Sequence, residues 1–198
     1  MAKPNNTTTE SHQCWRCFFK PRVLFRVARD AFAVVGVVLV LYHTCFHMSR
    51  VVSESMAPTL WGTDHVSGDL VLTEKVSYHF RTPKRWEIVT FPGPGGVLMK
   101  RVVGLPGETV SLNSDRELMI DGKVLPRPRD LADIKYYPYG NLRRGSEFVC
   151  EGGYYVLGDD SRDSDDSRFN GVIPAELIIG RSWAVLAPQE HRRWVTPQ

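Results

Sequence analysis

The sequence predicts a mainly β protein, an antiparallel β-sheet sandwich or folded barrel, preceded by one N-terminal transmembrane helix. Three observations lead to this fold class. Short apolar runs recur between turn signals from Val66 onward, no window of twelve or more residues there has a helical period, and an uncharged apolar stretch occupies residues 31–48. Glycine (16) and proline (13) are plentiful among the 198 residues, which suits short strands joined by turns.

The N-terminal residues divide into a basic tail, 1–30, and an apolar segment, 31–48. Residues 1–13 are polar and are expected to be disordered. The 18 residues of the apolar segment carry no charge, which is near the lower limit for a bilayer span. The segment ends in HTCFHMSR, without the small-x-small site of a cleaved signal peptide, which favours a retained anchor. Because the basic residues precede it, the tail is expected in the cytoplasm and 49–198 outside.

Seven apolar runs predict the strands of the exported domain. They are Asp69–Leu72, Glu87–Phe91, Val97–Val103, Thr109–Leu112, Leu118–Leu125, Phe148–Leu157 and Ile178–Ala187. Asp121-Gly122 predicts a two-residue hairpin, and FPGPGG at 91–96 predicts a second turn. Residues 126–147 are polar, aromatic and turn-rich, and are interpreted as a loop insertion. This pattern favours an antiparallel sandwich or folded barrel.

Composition excludes several classes of protein. A net charge of +3 without a clustered basic face gives no argument for nucleic acid. Four cysteines exclude a disulfide-dense scaffold. Cys14 and Cys17 form CWRC in the tail, but a lone CxxC is weak evidence for redox chemistry or zinc. Membrane-proximal thiols without a function are the alternative, and no metal site is predicted.

The first candidate for chemistry is the segment SESMAPTL, in which Ser53 and Ser55 are two residues apart. In an extended chain, residues i and i+2 point to the same side, so both hydroxyls would face one reacting group. A polar linker beside the membrane is the alternative on spacing alone.

The second candidate is Lys100 in the predicted strand VLMKRVV. Alternation places it on the same face as Leu98 and Val102. If that face is buried, desolvation lowers the pKa of the lysine and yields a neutral amine able to act as a general base toward a serine hydroxyl. A lysine that extends its ammonium to solvent is the alternative.

The third candidate is the segment GDDSRDSDDSR at 158–168. Its oxygen-rich side chains suit calcium, but it lacks the EF-hand spacing and contains two arginines. A structural loop with Asp–Arg pairs is therefore favoured. The histidines of the exported part, His65, His79 and His191, lie in no recognisable catalytic context.

These segments, taken together and in order, resemble type I signal peptidase, the membrane-anchored Ser/Lys enzyme that removes signal peptides. SESMAPTL is similar to the serine motif of that family, and MKRVVGLPGE at 99–108 to its lysine motif. SGDLVL at 67–72 with KRWEIVTF at 84–91 resembles the intervening segments, and GDDSRDSDDSRFNGVIP at 158–174 the last motif. The resemblance runs from about Val51 to Ala187.

The resemblance implies a role for each matching residue. Ser55 is the implied nucleophile and Lys100 the implied general base, while Ser53 and the Ser55 amide would form the oxyanion hole. Ser164 would hydrogen-bond the lysine amine. Asp166 and Arg168 would form an ion pair that fixes the loop. The implied pocket for small substrate side chains is lined by Val51 and Met99.

The resemblance also implies an activity and a location. The chain is expected to be a serine endopeptidase that cuts preproteins after small residues, without a metal or organic cofactor, at the outer face of a bacterial inner membrane in contact with lipid. A mitochondrial inner membrane peptidase with the same chemistry is one alternative. A catalytically silent, membrane-tethered β-domain that binds exported chains is another. The sequence leaves the oligomeric state open.

Overall fold

The computed structural model describes residues 21–64 and 66–195, which divide into two units between Leu41 and Tyr42. The predicted disordered tail at 1–13, Cys14, Cys17 and His65 lie outside the described residues. In the first unit the described chain is helical. The second unit contains all of the strands.

Helix α1 spans Pro21–Cys45 and buries none of its side chains. The sequence predicted a transmembrane anchor over 31–48, but Phe46–Arg50 forms a strand instead. The uncharged part of α1 therefore runs only from Ala31 to Cys45, and 15 residues at 1.5 Å each give about 22 Å, against about 30 Å of bilayer hydrocarbon. Among the described residues, no helix is both long enough and apolar enough to cross a membrane. The predicted anchor is therefore not confirmed.

Two antiparallel sheets form the second unit, and they confirm the prediction of a mainly β protein. The strands are β1 (Phe46–Arg50), β2 (Leu70–Glu74), β3 (Ile88–Gly93), β4 (Gly96–Gly104), β5 (Thr109–Leu112), β6 (Leu118–Ile120), β7 (Lys123–Val124), β8 (Glu147–Val149), β9 (Gly153–Leu157), β10 (Ile173–Pro174), β11 (Gly180–Ala187) and β12 (Arg193–Trp194). The larger sheet has the order β1-β2-β11-β3-β4-β9-β10, with β12 paired to β11, and the smaller has the order β7-β6-β5-β8.

The turns occur where turn residues predicted them. Asp121 and Gly122 both have positive φ, 49° and 74°, as a two-residue hairpin of type I′ requires, and they join β6 to β7. The predicted run Phe148–Leu157 is divided into β8 and β9, with Gly152 at φ 70° between them. A four-residue helix, α2 (Ser167–Asn170), begins within the last two residues of the segment 158–168.

Three apolar clusters fill the second unit. One lies under the serine segment and contains Val51, Met56 and Leu60. A second is formed by side chains of the neighbouring strands β3, β4 and β9. The largest receives four side chains from residues 126–147: Leu131, Ile134, Tyr136 and Leu142. The stretch interpreted as a loop insertion enters a strand only at its last residue, Glu147, where β8 begins, but it contributes to the core.

Candidate active site

The serine segment is shaped by a single turn of 3₁₀ helix, Glu54–Met56. Ser53 is extended (φ −141°, ψ 159°), but the chain then turns, so the two serines do not lie on the extended chain that the spacing argument assumed. The turn still leaves the hydroxyl oxygens of Ser53 and Ser55 3.2 Å apart, within hydrogen-bonding distance. Met56 is buried in the cluster below and anchors the turn.

Lys100 lies in β4, and its amine reaches Ser55 in the serine segment. Its Nζ is 2.6 Å from Ser55 Oγ, and the residue is only 3% exposed. The side chain does not extend to solvent: its amine ends against Ser55, which is itself 8% exposed, and the facing Val89 of β3 is buried as well. The structure therefore brings together the two residues predicted as nucleophile and base.

Burial lowers the pKa of the Lys100 amine from its ordinary value, since desolvation disfavours the charged form. Three carboxylates, Asp166, Asp165 and Asp159, oppose this effect, while the charge of Arg168 adds to it. Desolvation is the largest of these influences, so the amine is closer to neutrality than an exposed lysine.

Residues 158–168, here called the Asp-rich loop, pack directly on the serine segment. The Asp160 amide donates to the Ser55 carbonyl oxygen at 3.1 Å. The Asp166 carboxylate accepts five hydrogen bonds, one from the Gly158 amide, one from the Ser164 hydroxyl and three from Arg168. The expected ion pair between Asp166 and Arg168 is present and fully buried.

Ser164 differs in its partner from what the resemblance implies. Its hydroxyl donates to Asp166 Oδ2 at 2.7 Å. Among the described residues, the Lys100 amine is hydrogen-bonded to Ser55 and not to Ser164. Ser164 is therefore held beside the dyad through the carboxylate.

Sequence reasoning missed a second buried ion pair, between Arg101 and Asp159. The guanidinium donates to both carboxylate oxygens at 2.7 and 2.6 Å, and also to the Trp86 carbonyl and the Thr59 hydroxyl. Such bidentate ion pairs fix the relative orientation of the two side chains in addition to pairing their charges. Arg101 thus links the lysine strand, the Asp-rich loop and the serine segment. No local pattern in the sequence indicates this pair, because its two residues are 58 positions apart.

Val51 and Met99, the implied pocket residues, belong to the same buried cluster under the serine segment and are 9% and 8% exposed. Beside that segment lies a cavity of about 390 Å³ whose walls include Glu54, Pro58 and Asp160.

Two of the histidines considered as bases have other partners. His191 is paired with Asp69 at 2.7 Å, and the His79 ring is hydrogen-bonded to the Lys75 carbonyl oxygen. These two histidines therefore have partners other than Ser55.

Gly158 marks the closest approach of the Asp-rich loop to the nucleophile. A Cβ at this position would lie 2.2 Å from Ser164 Oγ and 2.5 Å from the Ser55 carbonyl oxygen. The serine carbonyl is backbone and cannot rotate away, so the loop itself would have to move.

We expect Gly158→Ala to lower kcat/KM of any reaction at this site by about 10²-fold, the scale of a misplacement of about 1 Å. Steady-state kinetics on the purified protein measure it. Gly36→Ala is the matched control, because a Cβ there meets no atom within 4 Å. Equal losses in the two variants would contradict the close-approach argument.

A family model and several known proteins match this chain. The model of a protein family described as "Signal peptidase, peptidase S26" matches residues 24–187. A signal peptidase I from Leptolyngbya laminosa is 36% identical over 140 residues, 66% of this chain and 63% of that protein. Signal peptidase I V from Bacillus subtilis (strain 168) is 36% identical over 159 residues, 74% of this chain and 90% of that protein.

One more distant similarity extends further along the chain. Signal peptidase I from Mycobacterium tuberculosis H37Rv is 28% identical over 229 residues, 88% of this chain and 77% of that protein. The crystal structure of a signal peptidase I from Enterococcus faecalis V583 is 32% identical and covers 54% of this chain and 98% of its own, with a TM-score of 0.41. The chain thus spans between 63% and 90% of the curated relatives described.

Proposed function

The chain belongs to the signal peptidase family, peptidase S26, and on that premise we propose that it is a serine endopeptidase that removes N-terminal signal peptides from exported preproteins. The observation that carries the proposal is the 2.6 Å separation of Lys100 Nζ and Ser55 Oγ in a buried setting. A serine hydroxyl needs an adjacent base to become a nucleophile, and a desolvated lysine amine provides one.

The reaction starts with attack of Ser55 Oγ on the scissile carbonyl carbon, while the neutral Lys100 amine accepts the hydroxyl proton. The tetrahedral intermediate then collapses, and the lysine ammonium returns the proton to the leaving amine of the mature chain. An acyl-enzyme ester on Ser55 remains. Water, deprotonated by the same amine, hydrolyses this ester and releases the signal peptide.

Charge develops on the carbonyl oxygen during both steps, and donors are needed where it develops. The Ser53 hydroxyl is 3.2 Å from Ser55 Oγ and the residue is exposed, which supports a role as a donor to an incoming carbonyl. The Ser53 hydroxyl and the Ser55 amide are the proposed oxyanion hole. Removal of one such donor typically costs 10²–10³ in kcat.

The substrate is proposed to be a preprotein with small residues at the first and third positions before the cut. Val51 and Met99 fill the space under the serine segment, which supports a shallow pocket that larger side chains do not enter. An extended substrate would dock as a strand. Because the apolar part of a signal peptide lies in a bilayer, the enzyme is proposed to work at the surface of a bacterial membrane.

Two alternatives have less support. The relatives described above are bacterial, which weighs against a mitochondrial peptidase. A catalytically silent binding domain has no need for a buried amine within 2.6 Å of a serine hydroxyl. Desolvation of a buried lysine amine costs stability, so its retention beside a serine hydroxyl favours a chemical role.

The test is cleavage of a preprotein that carries alanine at the first and third positions before its cut, using the purified full chain. We expect a product whose N-terminus follows the second alanine, and no product from Ser55→Ala. Ser114→Ala, in the exposed turn between β5 and β6, is the control and should cleave normally. Absence of product from folded wild-type protein would contradict the proposed function.

A further inference from the structure

We infer that residues 135–142, called here the bracing segment, hold the Asp-rich loop in the position from which it supports the dyad, with Ser161 and Asn141 as the positioning residues. The bracing segment lies inside the turn-rich stretch 126–147, to which the sequence assigned no role. The inference rests on the proposed function for its kinetic consequence, but not for its structural one.

The first attachment is at the start of the bracing segment. The Ser161 hydroxyl accepts a hydrogen bond from the Tyr137 amide at 2.9 Å and donates one to the Lys135 carbonyl at 3.2 Å. Ser161 is 1% exposed, so water does not substitute for either bond. One buried hydroxyl therefore joins the Asp-rich loop to two backbone groups of the bracing segment.

The second attachment is at the other end of both segments. The Asn141 amide nitrogen of the backbone donates to the Arg168 carbonyl at 2.8 Å, and its side-chain Nδ2 donates to the Ser167 carbonyl at 3.0 Å. The side-chain Oδ1 accepts from the Tyr155 hydroxyl at 2.5 Å. Since Tyr155 belongs to β9, which pairs with the lysine strand β4, Asn141 ties the end of the loop to the sheet that carries Lys100.

Between these points, Arg168 joins the two segments again. Besides its ion pair, its guanidinium donates to the Ser161 carbonyl at 2.7 Å and to the Tyr137 carbonyl at 3.1 Å. Gly140 permits the close contact, because it has φ 59° and a Cβ there would lie 2.0 Å from the Arg168 carbonyl oxygen. The bracing segment is thus fitted to the backbone of the loop.

The bracing segment is itself held in place by the hydrophobic core. Ile134, Tyr136 and Leu142, which flank or belong to the bracing segment, are buried in one cluster with Tyr155 and Leu157 of β9. These buried residues alternate along the chain with the residues that hydrogen-bond the Asp-rich loop. One side of the bracing segment therefore packs on the core, and the other side binds the loop. The loop in turn contacts the nucleophile through the Asp160 amide and the Ser55 carbonyl.

The test compares Ser161→Ala and Asn141→Ala with Asn113→Ala. Asn113 is a matched control because its side chain also fixes a turn, by accepting from the Asp115 and Glu117 amides, but in the smaller sheet. Two quantities are measured on the full chain: kcat and KM for the test preprotein, and amide hydrogen exchange of residues 158–168.

We expect kcat to fall by about 10–10²-fold in both brace variants, with KM within about twofold of wild type, because the loop positions reacting groups and not the bound chain. Exchange of 158–168 should accelerate in the same two variants and not in Asn113→Ala. Unchanged exchange, or a loss confined to KM, would overturn the inference. If wild-type protein does not cleave, the proposed function fails, and the exchange measurement alone decides on the brace.

Discussion

Replacing Lys100 by alanine is expected to lower kcat/KM for preprotein cleavage by about 10⁴-fold, because the reaction loses its general base. Among the described residues, the Ser55 hydroxyl contacts the Lys100 amine and the Ser53 hydroxyl, and only the amine is able to accept a proton at neutral pH. Cleavage by the purified variant, measured beside wild type, tests this. Lys123→Ala is the matched control, since Lys123 is also a strand lysine but is exposed. Equal cleavage by Lys100→Ala and wild type would contradict the lysine-base mechanism.

The pH profile follows from the same amine. Lys100 acts as a base only when neutral, so kcat/KM must rise with pH through the pKa of the amine. Burial lowers that pKa, and the rise should therefore be centred clearly below the ordinary lysine value of about 10.4. A midpoint at or above that value would show that the amine is solvated in the working enzyme.

Most of the strands, and the family, could be predicted from the sequence alone. The family was predicted from four ordered motifs, and it is the one that matches residues 24–187. β5 has the predicted bounds, Thr109–Leu112, because alternation and the flanking turn residues agree there. Lys100 was placed on the correct strand, but its burial depends on β3 and on the Asp-rich loop, which the local pattern does not contain.

Other features depended on contacts between distant segments. The apolar run at 31–48 was predicted as one helix, yet Phe46–Arg50 pairs with Leu70–Glu74, and this pairing ends α1 at Cys45. The four buried side chains of 126–147 follow neither a helical nor a strand period, so the pattern did not reveal them. Arg101 and Asp159 are 58 positions apart, and nothing local links them.

Replacing Asp166 by alanine is expected to destabilise the protein by about 3–5 kcal/mol and to abolish cleavage. The change removes five hydrogen bonds and leaves the guanidinium of Arg168, which is 1% exposed, without its counter-charge. Urea unfolding measures the loss of stability. A second variant, with both Asp166 and Arg168 replaced by leucine, should lose less than Asp166→Ala, because it leaves no buried charge unpaired.

The same loop contains its own control. Asp160 and Arg162 have the same spacing and are joined by similar hydrogen bonds, but the Arg162 side chain is 66% exposed. Arg162 lowers the pKa of Asp160, yet water solvates the arginine when the carboxylate is removed. Asp160→Ala should therefore unfold close to the wild-type midpoint. If both alanine variants lose stability equally, burial is not what makes the Asp166–Arg168 pair indispensable, and the loop would owe its position to the bracing segment instead.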